Sequence, residues 1–140
     1  MTEHVVRSTD HAGLVVLSPA ECFELAASQP VGRIGFADDG KIEILPVNHL
    51  IVGRLVAFRT AGGSKLAAAF ERAAVSFEVD SYDADRHTGW SVLIKGRAEL
   101  VNDQDTAARL PTTGLPPWPT SVARAHWVVI RPDLVSGRRL

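Results

Sequence analysis

Arg59, Thr60, Ser64 and Lys65 crowd into one short stretch, FRTAGGSKLAAAF (residues 58–70), around the glycine pair Gly62–Gly63. Two cations and two hydroxyls beside a flexible turn are suited to an anion, and above all to a phosphate. Glycines let backbone N–H groups approach an anion closely. The start of a helix adds unpaired N–H donors and the positive end of its dipole. Each charge-assisted hydrogen bond contributes roughly 1.5–3 kcal/mol, so three or four would offset the dehydration of a dianion. The same Gly-Gly-Ser is also an ordinary loop with an N-cap, in which Arg59 and Lys65 are solvated surface charges. The elements on either side decide between these readings.

Those elements are a strand and a helix. RLVAFRT (54–60) reads as a strand after a turn at Gly53, so Arg59 and Thr60 stand at its end. SKLAAAFER (64–72) consists of strong helix formers with Ser64 as the natural N-cap. Upstream, SPAECFELAASQP carries a capping box from Ser18 to Glu21, a first-turn Pro19 and a stop at Pro30. VGRIGFA places Ile34 and Phe36 on one face, and the Asp-Asp-Gly at 38–40 turns it into KIEILPVNHL, where Ile42 and Ile44 alternate with Glu43 and Leu45. AVSFEVD turns Val75, Phe77 and Val79 inward and Ser76, Glu78 and Asp80 outward. A polar loop at 81–89 leads to WSVLIKGRAELV, with Trp90, Val92, Ile94, Ala98 and Leu100 on one side. NDQDTAARL reads as a short helix, PTTGLPPWPTS as a loop, and HWVVIRPDLVSGRRL as a last strand interrupted near Pro132. About six mostly consecutive strands predict an antiparallel barrel or sandwich in one domain, residues 14–140, after a loose arm over 1–13.

Composition excludes several chemistries. The 140 residues carry a net charge of −1, so a nucleic acid or an anionic membrane is not an expected partner. The single cysteine, Cys22, permits no internal disulfide and no thiolate zinc site, and it reads as a buried small hydrophobe. His4, His11, His87 and His126 are dispersed, without metal-ligand spacing, so no metal site is expected. Asp38, Asp39, Asp83 and Asp85 sit in turns, where acids are solvated. No apolar run is long enough to span a bilayer, and the default setting is the cytoplasm.

The ordered set QPVGRIGF, LPVNHL, FRTAGGSKL, VSFEVD, GWSVLIKGRAEL and HWVVIRPDLVSGRR resembles the pyridoxamine 5′-phosphate oxidase-like flavin-binding split barrels, in particular their short actinobacterial members. The resemblance implies a six-stranded Greek-key split β-barrel that forms a homodimer with flavin at the subunit interface. It implies an FMN phosphate held by Arg59, Thr60, Ser64 and Lys65. Pro46, Val47 and Asn48 would line the isoalloxazine, with backbone groups bonding its polar edge. Trp90, Ser91 and Val92 would close the site from the partner subunit, with Trp118 and Trp127 as further aromatic contacts. The implied activity is that of a flavin-dependent oxidoreductase acting on a small-molecule redox substrate, with no side chain singled out as catalytic. True pyridoxamine phosphate oxidases are longer and carry an Arg-rich C-terminal substrate motif. Arg138 and Arg139 do not align with it, so vitamin B6 oxidation is not expected. Relatives that bind the deazaflavin F420 or haem leave two alternatives: an F420-dependent reductase with a basic track from Arg33, Arg54 and Arg72, or a non-catalytic flavin- or haem-binding barrel. His49 is the one candidate haem or proton-transfer ligand, and alternation turns it away from Asn48.

Overall fold

The computed structural model describes residues 9–61, 73–101 and 125–140. In chain order the elements are β1 (Val15–Val16), α1 (Pro19–Ala27), β2 (Val31–Asp38), β3 (Lys41–Val52), β4 (Leu55–Ala61), β5 (Ala74–Asp83), β6 (Thr88–Leu100) and β7 (Ala125–Arg139). The helices expected over 64–72 and near 102–110 lie outside the described residues.

The sheet runs β1-β7-β4-β3-β2-β5-β6, and β6 also pairs with β7. Strands β2 to β7 therefore form a closed six-stranded antiparallel ring, to which the two-residue β1 adds along β7. β2, β3 and β4 are joined by hairpins, and β5 returns beside β2, which is the Greek-key pattern. Closure leaves the ring without a free edge. The six-strand expectation thus describes the barrel, and β1 is the strand it did not include.

Local chemistry sets the hairpins. The pair Asp38–Lys41 encloses Asp39 (φ 51°) and Gly40 (φ 74°), a two-residue turn with both central residues in the left-handed region. Such turns match strand twist, and the Asp-Gly sequence supplies them. At the β5–β6 end pairing continues to Asp83–Thr88, so the expected polar loop over 81–89 shrinks to its four tip residues. The reason is Asp83, whose Oδ1 accepts from the backbone N–H groups of Asp85 (3.1 Å) and Arg86 (3.2 Å) and closes the turn tightly.

β7 differs from expectation as well. It runs unbroken through Pro132, which pairs with Gly96 at a register shift after Lys95. Asp133 is the extra residue, so the bulge accommodates a proline that lacks an N–H.

Alternation fills the barrel. Ile34 and Phe36, Val47, Val56 and Phe58, Val75, Phe77 and Val79, Val92, Ile94 and Ala98, and Val128 and Ile130 form one buried cluster. On β3 the inward set is Leu45, Val47 and His49, which leaves Ile42 (83% exposed) and Ile44 (67%) on the outer face.

Helix α1 closes over this core with Cys22, Phe23 and Ala26 buried. Its capping box is formed as read: Glu21 N–H donates to Ser18 Oγ (3.2 Å), and Ser18 N–H donates to Glu21 Oε1 (3.1 Å). Of the N-terminal arm, residues 9–13 are held down. Asp10 accepts from the N–H groups of Ala12 (2.9 Å) and Leu14 (3.0 Å) and from Arg138 Nε (3.0 Å).

His49 is 3% exposed, donates Nε2–H to the Ala26 carbonyl at 2.8 Å and meets Phe77 edge-on at 5.0 Å. Burial holds the imidazole below its ordinary pKa of 6.5, with the Ala26 bond opposing. The ring is therefore neutral and fastens β3 to α1. The unfolded chain binds the proton first, so stability should fall as the pH drops through the ordinary histidine pKa of about 6.5. Urea midpoints should show this decline in the parent protein and a shallower one in His49→Gln.

Candidate functional site

The outer face of the barrel reads as rows of paired residues running across the strands. One row is Pro46 on β3, Arg33 on β2, Glu78 on β5, Leu93 on β6 and Ser136 on β7. The next is Ile44, Gly35, Ser76, Lys95 and Leu134. Because Gly35 and Ser76 are small, this second row forms the floor of a groove of about 490 Å³, walled by Ile42 and Ile44 on one side and Lys95 and Asp133 on the other.

Arg59 extends the same face. His49 pairs with Phe58, both inward, so the next step along each strand brings outward Asn48 level with outward Arg59. On its other side Arg59 pairs with Trp127 of β7, and its guanidinium carbon lies 5.8 Å from the Trp127 ring centroid. That is cation–π distance. Arg59 is half-buried, Asn48 half-buried and Pro46 exposed. Below them Ala57 and Val129 are buried in a second small apolar cluster with Val52, Val101 and Trp127.

The sequence candidates thus separate by geometry. Arg59, Asn48 and Pro46 come together, in that order, on one continuous surface. Ser91 shares that outer face but stands across it, paired with Asp80 on β5 and Arg138 on β7. The side chains of Val47 and Val92 point into the core, 4% and 0% exposed, so neither can present its side chain to a ligand on this face. Trp90 leans on the core at the far end of the barrel and lines a separate cavity of about 370 Å³ with Ser81, Asp83, Thr88 and Arg139. The Thr60 side chain, Ser64, Lys65 and Trp118 lie outside the described residues.

Residues that sequence reasoning did not place in the site include Glu78 and Asp80. Arg33 Nη1 lies 3.5 Å from Glu78 Oε1 and 3.6 Å from Asp80 Oδ2. Loss of solvent, followed by the hydrogen bond and charge of Asp80, pushes the Glu78 carboxyl up to about 7, against the pull of Arg33. Alternation marked both acids as outward. Only the pairing register, Arg33 opposite Glu78, could have joined them to Pro46.

Arg54, offered as part of a basic track, stands at the opposite end of β4 from Arg59, over the Phe23 ring at 5.6 Å. Five residue steps along the chain separate the two, about 17 Å. No group of histidines, cysteines and acids among the described residues could hold a metal ion.

Comparison with known proteins fits this fold. The sequence model of the family described as pyridoxamine 5′-phosphate oxidase matches residues 18–139. The chain belongs to that family. The family's match begins at the Ser18 cap and ends within β7, so it spans the whole barrel. The Mycobacterium tuberculosis protein Rv0080 is 36% identical over 132 residues, covering 91% of this chain and 86% of its own. A solved FAD binding protein from Mycobacterium smegmatis is 38% identical, with a TM-score of 0.77 over 89% of this chain and 98% of its own. A FAD-binding protein from Mesorhizobium loti shares the fold at 22% identity, with a TM-score of 0.67 over 91% of this chain and 98% of its own. No helix among the described residues is long and apolar enough to cross a membrane.

Proposed function

We propose that this family member is a flavin-binding oxidoreductase that holds a phosphate-bearing flavin, FMN or FAD, between two copies of the chain. One observation carries the reading: Arg59, Asn48 and Pro46 line up on a single outer surface, and Arg59 stands at the end of β4, immediately before Gly62, Gly63, Ser64 and Lys65. The residues fit a flavin. Arg59, held over Trp127, meets the phosphate end together with Thr60, Ser64 and Lys65. Asn48 supplies an amide to the polar edge of the ring, and exposed Pro46 gives its flat face an apolar seat. The M. smegmatis protein, 38% identical and described as FAD binding, supports a flavin and brings FAD beside FMN. Arg54, engaged by Phe23, weakens the basic track that an F420 tail would favour.

Bound flavin supplies the redox chemistry, taking electrons from one small-molecule substrate and passing them to another or to oxygen. The chain's task is to bind the phosphate, orient the ring and exclude water. A second copy suits that task. The barrel interior is filled by its own side chains, so a tricyclic ring can be covered only from outside. The exposed Ile42, Ile44 and Leu134, interspersed with Arg33, Lys95, Glu78 and Asp80, give a face of mixed sign with an apolar centre. Ser91 stands across the face from Asn48 and would reach the ring from the partner. A cytoplasmic setting is part of this reading.

Native mass spectrometry tests assembly and cofactor together, after reconstitution with FMN, FAD and F420 in turn. The expected species is twice the 15.1 kDa chain with one flavin per chain. A monomer that retains none of the three would overturn the proposal. Flavin retained without turnover by any nicotinamide would favour a flavin-holding protein over an oxidoreductase.

A further inference from the structure

We infer that Glu78, held by Arg33 and Asp80, takes up a proton when flavin binds, so that binding is linked to pH through this one carboxyl. The inference rests on the flavin reading and deepens it. It starts from distance. Pro46, Arg33 and Glu78 are consecutive members of one row, and adjacent strands lie about 4.8 Å apart. Two such steps, about 10 Å, are comparable with the length of a tricyclic ring, so a ring seated on Pro46 extends over Arg33 towards Glu78.

The cluster is built for proton exchange. Two carboxyls two places apart on one strand face share a single guanidinium, at 3.5 and 3.6 Å. One cation cannot fully compensate two adjacent anions, so one of the pair keeps its proton more readily than an isolated acid does. Glu78 is that member, because its side chain is the less exposed of the two, 35% against 45%. The charged groups around it are few. Arg33 faces it from β2 and Asp80 from its own strand. Across β6 the residue opposite is Leu93, with Lys95 one place along the same face. Beyond that, Arg138 of β7 is engaged by Asp10. β3 contributes only Pro46 to this row.

The direction follows from burial. Before binding, Glu78 titrates near pH 7. Covering it with an apolar ring disfavours the carboxylate further. Well below pH 7 the group is already protonated and binding involves no proton. Above pH 7 a proton must be taken up, and affinity falls as pH rises.

The test titrates FAD into the refolded apoprotein by calorimetry from about pH 6 to about pH 8.5, in two buffers of different ionisation enthalpy. FAD avoids the second ionisation of a phosphate monoester near pH 6. The expected Kd is flat at low pH and rises by up to about tenfold per pH unit above about pH 7, with matching proton uptake in the calorimeter. Glu78→Gln, a neutral isostere of the protonated acid, should hold Kd near the parent's low-pH value throughout and abolish proton uptake. In Arg33→Gln the onset should move to higher pH, a displacement that a merely structural role would not produce. A flat parent profile, or a slope that survives in Glu78→Gln, would overturn the inference while leaving the flavin site standing. Absence of FAD binding at every pH would overturn the proposed function, and this inference with it.

Discussion

Replacing Gly96 with alanine is expected to lower the thermal midpoint of the protein by about 10 °C. Gly96 lies where β6 and β7 close the barrel, opposite Pro132 and next to the register shift. A Cβ at this position would overlap the carbonyl oxygen of Arg131. It would also stand 2.8 Å from the Arg131 carbonyl carbon and 3.1 Å from the Pro132 Cα. All three atoms are backbone, so no side chain can turn aside, and the strands must part. Pro132 is fixed by its ring, and β7 is paired with β6 through this point and with β4 up to Ile130, so the strain spreads into the ladder. Overpacking of this kind costs typically 1–3 kcal/mol, and a clash with backbone belongs at the upper end. For a domain of this size about 3 kcal/mol corresponds to roughly 10 °C. Gly35→Ala is the control, because its Cβ meets nothing closer than the Ser76 carbonyl oxygen at 3.7 Å. Melts followed by circular dichroism should separate the two variants clearly. Equal midpoints would mean that the seam at Gly96 yields without cost.

The bulge at Gly96 also marks where the sequence stops being informative. Local chemistry is legible. The Ser18–Glu21 box, the Asp39–Gly40 turn and the alternation of Val75, Phe77 and Val79 each depend on residues only a few positions apart, and each is formed as read. Pro132 misleads for the opposite reason. A proline within a strand signals interruption, and only its partner Gly96, far away in the chain, reveals a bulge that admits it. The site divides along the same line. Arg59 is found from its local company of hydroxyls and glycines, and Pro46 and Asn48 from the family motif. Arg33 and Glu78 join them only through the β2–β5 register, which no local pattern encodes. At Val47 and Val92 alternation sends the side chain inward, so on this face those two positions offer backbone groups alone.

Removing both cations of the candidate phosphate site, in Arg59→Ala with Lys65→Ala, is expected to weaken flavin binding by a factor of at least about 100 without unfolding the barrel. Two charge-assisted hydrogen bonds at roughly 1.5–3 kcal/mol each account for a loss of about 3 kcal/mol or more. The fold should survive because Arg59 points outward. Its inward neighbour Phe58 keeps its place in the core. The contacts given up include the one with Trp127, about 0.5–1 kcal/mol for a partly exposed cation–π pair. Fluorescence titration with FMN and a melt of the same sample would separate lost binding from lost structure.

The most direct measurement compares riboflavin, which has the ring but no phosphate, with FMN on the parent protein and on the double variant. If the anionic end docks beside Arg59 where β4 ends, FMN should bind the parent at least about a hundredfold more tightly than riboflavin, and the double variant should bind the two alike. Equal affinity of the parent for riboflavin and FMN would place the phosphate elsewhere and contradict the assignment of this face as the flavin site.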